Sequence, residues 1–283
     1  MVGPNTASLM RSGRRFYKMS GSGNDFIFFD EEDGPVDAYR SPIAIESLCA
    51  HGTGIGADGV VFFDRPDNGQ VAITYYNSDG SLGELCGNAT LCTVRLAELL
   101  GTRVDGDLQI RTDSGEVAGR LVEGVPEIDL KPVTDVTANW SAIPIVGSES
   151  RLGFALVGVP HVTIELPDIS TADVIGRGSE VRRHRSLAHG ANVNFVARGP
   201  DGRWQIRTYE RGVEGETLAC GTGAVASAVL LATWGRAESP VRLVTKSGRE
   251  LTVTLRREGD AWYSSLRGNA ELVFTGELPT RAG

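Results

Sequence analysis

The sequence predicts an α/β (α+β) fold of two pseudo-symmetric lobes, each a mixed, mainly antiparallel sheet wrapped around a central buried helix. Three observations carry this. Short strand signals dominate the 283 residues. Of two helical segments, one has recurring apolar positions and the other is apolar or small at nearly every position, and a helix of the latter kind must be buried on all sides. Those two segments also share one preamble, so the chain reads as an internal duplication.

Runs rich in β-branched and aromatic residues at 60–63, 71–76, 108–112 and 117–122 read as strands of the first half. Runs at 162–166, 194–198, 204–209, 241–245, 251–255 and 272–275 do so in the second. Ser41 before Pro42 is an N-cap with proline at the first helical position, which predicts a helix over 42–50. A second helix is expected over 88–100, with Leu91, Cys92, Leu96, Leu99 and Leu100 as its apolar set and Gly101 as its stop. A third covers 222–234 and is closed by Gly235.

Tyr76-Asn77 ends the strand before the second helix, and Tyr209-Glu210 ends the strand before the third. After each comes a glycine-bearing loop, then Leu-Cys-Gly or Leu-Ala-Cys-Gly, then the helix. Cys86 and Cys220 thus hold equivalent places 134 residues apart. The expected N-terminal lobe is 15–130 with 266–283 and carries Cys86. The C-terminal lobe is 131–265 and carries Cys220, and 1–14 is a disordered tail. The proline-containing stretch 123–135 is expected to cross between lobes.

A cysteine just before a helix sits in the positive field of unpaired N–H groups, which favours thiolate. Behind the two cysteines, Gly87-Asn88 and Gly221-Thr222 offer backbone donors suited to a carboxylate. A lone buried cysteine at a helix start is usually a packing residue. Two in matching contexts, each followed by glycine, point instead to paired proton transfer across one carbon, hence a racemase or epimerase. Cys49 and Cys92 lack that context and read as core.

The segments at 19–30 (MSGSGNDFIFFD), 54–59 (GIGADG), 76–89 (YNSDGS…CGNA), 158–161 (GVPH), 192–195 (NVNF) and 209–224 (YERGVEGETLACGTGA) resemble diaminopimelate epimerases, a family of pyridoxal-independent amino-acid racemases. The resemblance implies that Cys86 and Cys220 are the acid/base pair and that Gly87, Asn88, Gly221 and Thr222 bind the reacting carboxylate. It implies substrate contacts for Asn24, Asn77 and Asn192, an α-ammonium partner in Glu210, and a carboxylate clamp in Arg211. His161 and Glu210 match positions that tune the cysteines. Val159, Gly59, Ala89 and Leu91 depart from commoner residues at places expected to lie near the substrate. The implied reaction interconverts L,L- and meso-diaminopimelate for lysine biosynthesis, in a cytoplasmic homodimer without cofactor. The alternatives are a racemase for another amino acid, such as histidine, or a silent amino-acid-binding homologue.

Composition narrows the partners. Acidic residues number 36 against 28 basic, a net −8 that suits no phosphate backbone, so a nucleic-acid partner is not expected. Only three of the basic residues are lysines (Lys18, Lys131, Lys246), which leaves few candidates for a Schiff base. The longest apolar run is about half of what a membrane helix needs, so no membrane partner is expected. No cysteine pair and none of the four histidines falls at metal-ligand spacing. The expected partner is a small amino-acid substrate.

Overall fold

Strand β1 (Arg14–Gly21) turns back through Ser22 and Gly23, both at positive φ, into β2 (Asn24–Asp30). The structure, a computed structural model, describes residues 13–65, 70–83, 86–102 and 107–279. The tail expected over 1–14 lies outside the described residues up to position 12, and Arg14 already belongs to a strand.

Helix α1 (Pro42–Cys49) leads to β3 (Gly59–Asp64), parallel to β2, and β3 pairs antiparallel with β4 (Gln70–Asn77). Helix α2 (Gly87–Leu99) then crosses to β5 (Leu108–Thr112), parallel to β4, and β6 (Gly115–Val122) and β7 (Val125–Val133) follow antiparallel. A two-residue β8 (Val136–Thr137) comes next.

The second half repeats the sequence of pairings. Strands β9 (Arg151–Val157) and β10 (Val159–Glu165) form a hairpin, and α3 (Gly176–Arg182) precedes β11 (Asn192–Arg198), parallel to β10. β12 (Trp204–Glu210) is antiparallel to β11 and carries a short flap, β13 (Gly215–Thr217). Helix α4 (Gly221–Thr233) crosses to β14 (Val241–Val244), parallel to β12, and β15 (Glu250–Glu258) and β16 (Ala261–Gly268) close the half.

The halves are then locked together. The stretch expected to cross between them is largely strand: β7 pairs with β6 on one edge and with β16 on the other. β8 pairs with β9, and the final strand β17 (Ala270–Leu278) returns to pair with β1 from Arg14↔Leu278 to Gly21↔Ala270. Each half is thus edged by a strand that follows the other half in sequence.

Both central helices are buried as expected. Every residue of α4 from Gly223 to Leu231 is buried, and α2 is buried from Gly87 to Val94. Fully buried side chains such as Leu91, Leu96, Leu230 and Leu231 each contribute about 2 kcal/mol of apolar transfer. An outer layer stacks Phe29 between Tyr39 and Phe62, at centroid distances of 5.0 and 5.7 Å.

Each predicted helix is present within one or two residues of its expected ends, and Ser41 Oγ accepts from Ala44 N as the cap. Strand β1 has no alternating pattern because both of its faces are covered, with Phe16 in one core layer, Tyr17 and Met19 in the other, and Lys18 buried among them. That lysine is buried against Asp25 at 2.7 Å, an ion pair that lets a charged residue take a core position. Helix α3 was not expected, since Gly-Arg-Gly-Ser-Glu has no apolar period.

Candidate active site

Cys86 and Cys220 are the N-caps of α2 and α4, with extended backbones at φ/ψ of −101/108° and −135/110°. Neither side chain caps its own helix, so both thiols remain available. The helix starts abut. A Cβ built on Gly221 would stand 3.5 Å from Gly87 Cα, and Leu266 lies over both glycines. The helix ends are thus at van der Waals contact, and it is Leu266, 2.9 and 3.1 Å from a Cβ built on Gly221 and Gly87, that leaves room for glycine at both positions. The two cysteines and both sets of first-turn N–H groups therefore face one cleft of about 370 Å³.

The sequence-predicted residues gather around it. Asn24, at the start of β2, accepts from Asn88 Nδ2 at 2.6 Å and donates to Asp58 at 2.9 Å. Asn77, at the end of β4, is held between Ser81 Oγ (3.0 Å) and the Tyr75 hydroxyl (3.0 Å). Asn192 opens β11, and its Oδ1 accepts from the Arg211 backbone N–H at 2.7 Å. Glu210 and Arg211 close β12 on the same wall, and Thr222 Oγ1 lies 3.7 Å from Cys220 Sγ. His161 does not line the cleft. It sits fully buried behind it, with Nδ1 3.3 Å from Asn194 Nδ2 and Nε2 without a partner among the described residues.

The helix ends do pull the thiols down, as expected, but burial outweighs them and the net shift of both is upward. Burial pushes Cys86 up to about 12, against the Ala89 and Asn88 backbone N–H groups that pull it down. Burial and then Glu210 raise Cys220, outweighing Thr222 and the Gly223 N–H. Desolvation of a thiolate exceeds what a few backbone donors return. Glu210 is itself raised by burial, with Thr217 opposing. His161 is pushed down to about 3 by burial, with the charge of Arg211 as the lesser cause.

The four departures separate. Val159 lines the cleft. Ala89 and Leu91 are fully buried in the α2 core and do not line the cleft. Gly59 is buried under the Tyr75 ring, where an added Cβ would come within 2.6 Å of it.

Several residues were missed. Tyr75, Leu82, Arg182, Gly212 and Ala219 line the cleft, and Asn194 stands behind it. The signal for two of these was strand period. Tyr75 is two before Asn77 and Asn194 two after Asn192, so each shares a face with a predicted residue.

The sequence pattern of diaminopimelate epimerases matches residues 16–124 and 153–273. A diaminopimelate epimerase of Gemmatimonas aurantiaca is 43% identical over 93% of this chain and 98% of its own. One from Aquifex aeolicus is 33% identical over 93% and 97%. Among solved structures, a PhzF-family phenazine biosynthesis protein of Bacillus anthracis aligns at TM-score 0.72 with 13% identity, over 95% of this chain and 99% of that one. A hydroxyproline epimerase of Agrobacterium vitis aligns at 0.68 with 15% identity, over 95% and 92%; at such identities the likeness is one of fold.

Proposed function

The chain belongs to the diaminopimelate epimerase family and is an epimerase, and we propose that it interconverts L,L- and meso-diaminopimelate with Cys86 and Cys220 as its two bases. The observation that carries the mechanism is the Gly87–Gly221 contact, which brings both helix starts, each with its cysteine, to one cleft.

The reacting carboxylate takes the first-turn N–H groups at Gly87-Asn88 and Gly221-Thr222, the natural seat for an anion. One cysteine, as thiolate, removes the α-proton and becomes a thiol. The opposite thiol delivers its proton to the other face and becomes a thiolate, so the carbon inverts and charge balances. Donors at both helix ends stabilise the charge that develops on the carboxylate as the α-carbon loses its proton.

The raised thiols fit this scheme. Glu210 is among the causes that push both up. A substrate α-ammonium set against Glu210 cancels that contribution, so the substrate itself makes one thiolate easier to form. Arg211 takes the distal carboxylate, where a planar fork suits bidentate binding.

The reading includes a cytoplasmic homodimer. No helix among the described residues is long and apolar enough to cross a membrane. β17 pairs only with β1 among the described strands and exposes Leu272, Val273 and Phe274, an apolar edge that a second copy can cover. Phe274→Asp is expected to shift the protein to monomer on sizing.

The test is proton NMR with L,L-diaminopimelate in deuterated water. Loss of the α-proton signal with appearance of meso product is expected. Cys86→Ala and Cys220→Ala should each abolish epimerisation while differing in which stereoisomer still exchanges its α-proton. Full turnover in either variant overturns the two-cysteine scheme. No exchange with the unmodified protein overturns the substrate.

A further inference from the structure

Asn194 is fully buried on β11, and both polar atoms of its amide have partners. Its Oδ1 accepts from Thr208 Oγ1 at 3.0 Å. Its Nδ2 faces two groups, the Val162 carbonyl at 3.3 Å and His161 Nδ1 at 3.3 Å. A carbonyl oxygen can only be met by a donor, so the Val162 carbonyl fixes which end of the amide is nitrogen. The second N–H of that nitrogen then points at His161 Nδ1, which must present a lone pair. The proton of a neutral imidazole is left on Nε2, the atom that is buried without a partner among the described residues.

We propose that Asn194 is a positioning residue that holds His161 as the neutral Nε2–H tautomer, making the imidazole a hydrogen-bond donor to the site rather than a base. Two features agree. An imidazolium would set Nδ1–H against the amide N–H, so the same contact opposes charging the ring. The amide also borders the first turn of α4: a Cβ built on Gly223 would stand 2.4 Å from Asn194 Oδ1 and 3.2 Å from Cys220 Sγ. A buried N–H with no acceptor is costly in the resting protein. Thr208, the cross-strand partner of Asn194, completes the chain from β12.

The inference rests on the two-cysteine reading only for its effect on rate; the tautomer is a property of the resting protein. The measurement is nitrogen-15 NMR of protein carrying labelled histidine, with the His161 signals assigned by their loss in His161→Gln. The expected result is a protonated Nε2 and an unprotonated Nδ1 from pH 5 to 8, without substrate. A protonated Nδ1 in that range overturns the proposal, whether or not the protein turns over diaminopimelate. In Asn194→Ala, or in the size-conserving Asn194→Asp if the first does not fold, Nδ1 should gain proton occupancy. There kcat should fall about 10-fold with KM changed less than twofold. An unchanged Nε2–H tautomer in a folded variant overturns the positioning role.

Discussion

Gly87 and Gly221 meet where α2 and α4 begin, close enough that a methyl on Gly221 would lie 3.5 Å from Gly87 Cα and 2.9 Å from Leu266 Cδ2. Leu266 is fully buried, so it cannot swing aside into solvent. Overpacking of this kind costs about 1–3 kcal/mol. The gain in helix propensity from glycine to alanine is at most ~1 kcal/mol, so the steric cost wins. Gly221→Ala is expected to lower stability in urea and to cut epimerase activity at least tenfold by parting the two cysteines. Combined with Leu266→Ala it should cost less stability than the two changes summed, because the second removes the first one's obstacle. Simple additivity would show that the glycines are not needed for this contact.

Tyr75 is wedged between Gly59 and Gly83, each of which would put an added Cβ within 2.6 Å of its ring. From there its hydroxyl, which burial holds in the neutral form, reaches Asn77 at 3.0 Å. Tyr75→Phe keeps the packing and removes only that bond, worth ~1 kcal/mol. KM should rise about fivefold with kcat nearly unchanged. A fall in kcat alone would instead place Tyr75 in the proton-transfer step.

The duplication and the two helix-start cysteines were legible because each is a local signal: an all-apolar helical run, a glycine after a cysteine, a repeated preamble. The return of β17 to β1 was expected only as a boundary, and its register has no local signature, since pairing is set by which edge is left open. Burial was the other blind spot. The sequence shows Cys86 beside helix N–H groups but not the depth of the site, and depth reverses the sign of its shift. Asn194 was passed over for a related reason, since an asparagine inside a strand looks like a defect until His161 and Thr208 are seen on either side of it.

Arg211 has no ion-pair partner among the described residues, although Arg182 and Arg183 nearby both engage Glu214. An arginine kept free in a cleft is available to a ligand carboxylate. A charge-assisted bidentate pair is worth about 1.5–3 kcal/mol, and lysine keeps the charge but not the fork. Arg211→Lys should therefore raise KM by about 10- to 100-fold with a smaller change in kcat. An unchanged KM would move the distal carboxylate to another residue, with Arg182 the next to test.

His161 also predicts a pH dependence of stability. Its folded pKa is pushed down to about 3, while in the unfolded chain it lies near ~6.5. Below that value the unfolded state binds a proton that the folded state refuses. The histidine's contribution is thus intact above about pH 6.5 and is lost as pH falls toward 3, at up to ~1.4 kcal/mol per unit. Glu210 works in the opposite sense: its raised folded pKa adds stability that is lost as pH rises through that value. Comparing the unmodified protein with His161→Gln cancels the carboxylates, which are common to both. Between pH 7 and pH 5 the stability advantage of the unmodified protein, read from urea midpoints, should shrink by about 2 kcal/mol. A constant difference would mean that the buried ring accepts its proton as readily as a free one, a result incompatible with an Nδ1 held by the Asn194 amide.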